Sequence, residues 1–287
     1  NWVLVTTYSY PRLNNASAAH TAVKSQCDYS IDGTGVYEDC TVICTAEEFV
    51  ALTKDKTAWD KNYALGNDID LDGTTITSIG TDMNYPFTGK FSGNGYTIKN
   101  VTINSPDTEF VGIFGVNRGH ISDLSATGNV TGKNFVGGIC GLNDTNCVIN
   151  NCEFSSGEVT GKQHIGGVCG QNNGKISTCR SDSKVNGSSN VGGVCGYNIG
   201  SLTASSSTGT VSGSDAVGGV CGYNDGSVSL SCNSGKVSGN DGVGGVCGQV
   251  YLTGTVSDCY NVGEVSGSNA LGGVCGYNFG SISTCYS

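Results

Sequence analysis

Val217-Gly218-Gly219-Val220-Cys221-Gly222-Tyr223-Asn224 is one copy of a phrase that recurs along the second half of the chain. In each copy a branched aliphatic residue precedes Gly-Gly, then Val or Ile, Cys and Gly. The copies start at Val136, Ile165, Val191, Val217, Val243 and Leu271, and a degenerate one, Val111-Gly112-Ile113-Phe114-Gly115, comes before them. The starts lie 25, 29, 26, 26, 26 and 28 residues apart, so the basic period is 26. Insertions at Thr145-Asn146-Cys147 and Val250-Tyr251-Leu252 account for two longer intervals. A fixed period of this size marks a stacked array.

One period holds three short strand-like pieces, at 217–223, 227–231 and 235–238, separated by Asn, Asp, Ser and Gly turn residues. Each piece is too short for an amphipathic helix, and a lone hairpin is marginal in water. Stacking resolves this. If each unit is one coil, its strands pair in parallel with those of the next coil, about 4.8 Å away. The expected fold is therefore all-β: a right-handed parallel β-helix with ~26 residues per three-sided coil. The three prolines, Pro11, Pro86 and Pro106, all precede the array, as strands that donate on both sides require.

Like residues should then form columns. One aliphatic column is Val111, Val136, Ile165, Val191, Val217, Val243, Leu271. A second is Ile121, Ile149, Ile176, Leu202, Val228, Val256, Ile282, and a third is Val130, Val159, Val185, Val211, Val237, Val265. Asn117, Asn143, Asn172, Asn198, Asn224 and Asn278 form a polar column, broken at Val250, whose amides can bond to one another as in a cross-β ladder. Three segments follow. Residues 1–44 have no period. Residues 45–110 start with a capping-box pattern, Thr45-Ala46-Glu47-Glu48, which predicts a short capping helix from about residue 46, and continue as irregular entry coils. Residues 111–287 are the array.

The array and its entry phrases resemble the GLUG-repeat surface proteins of bacteria over residues 45–287. The resemblance rests on Asn67-Asp68-Ile69-Asp70-Leu71, on Phe87-Thr88-Gly89-Lys90-Phe91-Ser92-Gly93-Asn94-Gly95-Tyr96, and on the Gly-Gly-Val-Cys-Gly-Tyr-Asn units. It implies a secreted or surface-bound β-helix of adhesin-like type, with no catalytic residues to carry over. Some IgA-cleaving metallopeptidases carry such repeats too, but their His-Glu-x-x-His zinc motif is absent here.

Cysteine is where this chain departs from that pattern. Cys140, Cys169, Cys195, Cys221, Cys247 and Cys275 replace the usual aliphatic, and Cys152, Cys179, Cys259 and Cys285 form a second column with Ser205 and Ser231 in the other two coils. Metal binding is disfavoured, because no Cys-x-x-Cys pair occurs and only Cys40-x-x-x-Cys44 has a short ligand-like spacing. Two readings stay open: small buried hydrophobes, or disulfides within coils, Cys140 with Cys152, Cys169 with Cys179, Cys247 with Cys259 and Cys275 with Cys285. Cys27 with Cys40 or Cys44 would staple the N-terminal segment. With 15 Cys, at least one stays unpaired or bonds another chain.

Charge excludes one partner class. Lys plus Arg is 14 against 24 Asp plus Glu, net −10, so no basic face is available for nucleic acid. There is no apolar run long enough for a transmembrane segment. The chain does not start with Met and is expected to be processed or part of a longer protein. His20, His120 and His164 have no orienting partner in sequence and are expected at the surface. Asp68, Asp70 and Asp72 start like a calcium loop, but Ile79 stands where its Glu belongs, so calcium is the only cofactor hint and a weak one. Tyr197, Tyr223 and Tyr277 share one column and could stack on sugar rings or simply cover a turn.

The function expected is non-enzymatic: an extracellular adhesin or stalk segment of a microbial cell surface, with a host or matrix glycan or protein as partner. The alternative partners are other copies of itself, in a filament assembled end to end. A polysaccharide-degrading β-helix would need clustered carboxylates, and the array acids are scattered.

Overall fold

The computed structural model describes residues 40–287, so Cys27, His20 and the rest of 1–39 lie outside the described residues. The chain winds as a β-solenoid of about eight turns. Four parallel stacks run along it, with 10, 7, 12 and 6 strands. Every named strand pairing is parallel, and pairing partners are one coil apart.

The columns are in register. Val136 pairs with Ile165 and Ile165 with Val191; Ile149 pairs with Ile176 and Ile176 with Leu202; Val159 pairs with Val185 and Val185 with Val211. All of these are fully buried.

The phrase read as one strand over 217–223 is two strands, Asp215–Gly218 and Cys221–Asn224, in different sheets. Between them the Gly-Gly pair turns the chain where no side chain fits. A Cβ on Gly218 would lie 1.9 Å from the Cys221 carbonyl oxygen, and one on Gly219 would lie 2.4 Å from the Asn233 side chain. That contact exposes a further interior column: Ala126, Phe154, Ser181, Ser207, Asn233 and Asn261 are all buried. The second glycine makes room for it in the coils from Phe154 to Asn261.

The front is closed as the capping box predicts. Helix α1 (Ala46–Lys54) starts at Thr45, whose hydroxyl accepts from the Glu48 N–H, while Glu48 accepts from the Thr45 N–H. Its apolar side buries Phe49 and Leu52. Phe49 meets Phe91 edge-on at 6.4 Å, Phe91 meets Phe114 at 5.2 Å, and Phe87 meets Phe114 at 5.0 Å. Trp59 Nε1 donates to the Leu52 carbonyl and fastens the helix end.

Candidate functional site

Most outward positions of the array carry Ser, Thr, Asn or Gly, but one corner carries rings. Phe110, Phe135 and His164 occupy the position just before the aliphatic column on three successive coils, all with left-handed backbone, φ +56, +55 and +58. Left-handed φ at bulky residues is uncommon. Here the corner turns at this residue in each coil, and Asn190, Ala216, Gly242 and Ala270 take the same conformation further on.

The rings continue beyond that column. Phe110 stacks on Phe135 and Phe135 on His164, both at 4.8 Å with planes 18° apart. His164 meets Tyr197 at 5.1 Å, Tyr197 meets Tyr223 at 5.0 Å, and Tyr223 meets Tyr251 at 5.7 Å. Six rings thus form one ridge. At its start the near-parallel planes cover one another's faces. From Tyr197 onward the angles open to 33°, 65° and 32°, so the rings no longer cover one another face to face. Phe110, Phe135, His164, Tyr197 and Tyr223 are all half-buried, and Tyr251 at the far end is 40 % exposed. Ile199, Leu252 and Phe279 are exposed on the neighbouring turns.

Tyr277 does not join the ridge as the shared column suggested. Gln249 occupies the coil between it and Tyr223. Tyr277 instead lies over Gly242, donates its hydroxyl to Asp241 at 2.8 Å, and pairs with Phe279 at 6.2 Å. Sequence reading missed Phe110, Phe135 and Tyr251, because the ridge draws its rings from two columns and one insertion. His164, expected at the surface, is half-buried inside it.

The electrostatics keep this ridge uncharged. Burial pushes the Tyr223 hydroxyl up to about 12, and burial with the nearby Asp225 raises Tyr197. The bond to Asp241 raises Tyr277. Burial lowers His164, whose Nδ1 accepts from the Asn190 amide at 3.1 Å, an arrangement only a neutral ring supports.

A second feature is a shallow groove of about 550 Å³ across four coils, lined by Asn94, Asp123, Ser125, Asn151, Glu153 and Arg180 among others. Asn151 donates to Asp123 at 2.8 Å, and Arg180 lies 3.8 Å from Glu153. Two carboxylates and an Arg therefore meet here, although the acids look scattered in sequence.

The remaining sequence candidates have structural partners. Asp68 accepts from Lys99 Nζ at 2.8 Å and from the Thr97 N–H, and both bonds hold its carboxyl below the usual range. Asp70 accepts from Asn100 and from the Asp72 N–H. Among the described residues no three His, Cys, Asp or Glu side chains converge as a metal cage would require.

The within-coil disulfides are not formed. Cys140, Cys152, Cys169, Cys179, Cys247, Cys259, Cys275 and Cys285 are free thiols. Each column bonds its sulfurs to backbone carbonyls two residues away on the same coil: Cys169 to Gln171 at 3.1 Å, Cys179 to Ser177 at 3.3 Å, Cys259 to Ser257 at 3.1 Å. Ser205 and Ser231 make the same bond in their coils. Cys40 is disulfide-bonded and Cys44 is free, while Cys27 lies outside the described residues.

No protein-family model matches the chain. The chain is 30% identical over 154 residues to "Halomucin" of Haloquadratum walsbyi, a match that covers 45% of this chain and 2% of that protein. This chain therefore corresponds to a very small part of that relative. Among solved structures it is similar to a protein of Bacteroides ovatus described as a "putative immunoglobulin A1 protease", with a TM-score of 0.69 and 19% identity over 87% of this chain and 84% of that one. At that identity the likeness is one of fold. No helix among the described residues is long and apolar enough to cross a membrane.

Proposed function

We propose that the chain is a coil array of an extracellular or cell-surface protein, and that the Tyr197–Tyr223–Tyr251 end of its ridge is a contact surface for a glycan or a matrix protein. The observation that carries this reading is the ridge itself, a continuous series of rings that ends in an exposed Tyr. Tyr combines large contact area with little entropy to lose, and its polar tip can bond a partner. The partial match to halomucin and the resemblance to GLUG-repeat surface proteins support the location. The stiff solenoid suits a stalk, since each coil adds length without a hinge.

Binding of the full chain to arrays of glycans and matrix proteins tests the contact surface. Tyr223→Ala/Tyr251→Ala, folded by circular dichroism, should lose binding by at least tenfold. A folded double variant that binds as well as the parent overturns the ridge as the contact.

The groove supports a second, enzymatic reading. Two carboxylates and an Arg lining one groove are what an acid–base attack on an acidic polysaccharide needs. Release of reducing ends from uronate-containing polysaccharides, abolished by Asp123→Asn, would establish it. No release from a broad polysaccharide panel would set it aside.

A further inference from the structure

The array cysteines take no part in the function above, yet their placement is more regular than packing requires. Cys140, Cys169, Cys195, Cys221, Cys247 and Cys275 stack in register on successive strands. In the second column cysteine occurs only as neighbours, Cys152 with Cys179 and Cys259 with Cys285, and serine fills the two coils between. Every run of thiols is therefore even in number. The first five members of the long run, with Cys152, Cys179 and Cys259, are buried from solvent.

Geometry at sulfur limits what such neighbours can bind. Strand side chains stand roughly perpendicular to the sheet, and the next coil lies about 4.8 Å along the axis. Each sulfur therefore sees its neighbour nearly at right angles to its own Cβ–Sγ bond. A disulfide fits poorly, because it needs a Cβ–S–S–Cβ dihedral of about 85–100°, and parallel side chains set that angle near zero. A bridging ion fits well. Two metal–sulfur bonds of about 2.3 Å, placed in line, span about 4.6 Å. Tetrahedral zinc needs four donors, and among the described residues not even three converge.

We propose that neighbouring thiols in each run form two-coordinate sites for a soft, thiophilic cation held linearly between two sulfurs. For a divalent ion the step balances simply. Two S–H bonds break, two metal–sulfur bonds form, both protons leave to solvent, and nothing is oxidised or reduced. The product is neutral, which an apolar interior tolerates where a net charge would be resisted. Soft thiolate ligands favour such ions over harder ones. Each ion displaces two thiol protons, so uptake should strengthen as pH rises.

The test refolds the full chain from urea with mercuric chloride, removes loose ion with glutathione, and counts retained ions by native mass spectrometry. Cys152→Ser/Cys179→Ser is the decisive variant. Its fold is safeguarded because Ser205 and Ser231 already occupy that position and donate to the Thr203 and Ser229 carbonyls at 3.0 and 2.8 Å. It should retain one equivalent fewer than the parent. Cys44→Ser/Cys147→Ser/Cys232→Ser, which removes thiols outside the runs, should retain the parent's count, and zinc chloride should leave no ion bound. The proposal is overturned if the double variant matches the parent, if the triple variant loses the retained ions, or if glutathione strips every ion from the parent.

Discussion

The entry coils and the repeat array solve the same problem with different side chains. The entry coils have irregular paths, and their interior is filled by large rings: Phe49, Phe87 and Phe91 are fully buried, and Phe87 and Phe91 pack on Phe114 at the start of the array. In the array the interior is mostly Val, Ile, Cys, Ser and Asn, and most of these stack on a like residue. The difference shows what registry provides. Where coils repeat, a small side chain meets its copy about 4.8 Å away and the gap is closed by identity. Where they do not, a ring must bridge spaces of unequal size. Polar groups follow the same logic. Asn can be buried in the array because the next coil supplies a matching Asn, a partner the entry region cannot offer.

The largest effect should therefore come from the entry core. Phe91→Ala removes the ring that joins α1 to the first repeat and should cost about 3–5 kcal/mol in urea unfolding. A loss below about 1 kcal/mol would mean that the cap and the array are not one cooperative unit. Next comes the polar ladder. Asn198 donates to Asn224 at 2.8 Å and accepts from Asn172 at 2.8 Å while fully buried. Asn198→Ala should cost about 1–3 kcal/mol, and no measurable change would show that registry alone, without the amides, holds the coils. Ile176→Val brings one rung to the residue found at Val228 and Val256 and should cost only about 0.5–1.5 kcal/mol.

The smallest effect is a pH dependence. His164 titrates lower folded than unfolded, because burial disfavours its charged form. The unfolded state then binds the extra proton, so stability is present above the usual His value and falls as pH drops through it. The melting temperature should decline from pH 7.5 to 5.5, and His164→Phe should flatten that part of the curve. An unchanged slope in the variant would place the ring outside the buried ridge.

The interior was readable where one residue type repeats at one position. The three aliphatic columns, the Asn ladder and the capping helix follow from spacing alone. The column from Ala126 to Asn261 escaped because its residue type changes from coil to coil, although from Phe154 onward a glycine always faces it. The ridge escaped for a related reason: Phe135, His164 and Tyr197 are neighbours in space but not in any one alignment column. The thiols were found, but spacing says nothing about the direction in which a sulfur points. The groove brings together Asp123, Glu153 and Arg180, whose proximity depends on stacking rather than on any motif.

The Asn ladder also has a direction. Asn117 donates to Asn143, Asn143 to Asn172, Asn172 to Asn198 and Asn198 to Asn224, always from the earlier coil to the later. Asn233 donates to Asn261 in the same sense. Sheet backbone dipoles largely cancel, but these amides add head to tail and polarise one another. The solenoid interior thus carries a small electric vector along its axis, its positive end toward Val250, where the run of amides stops.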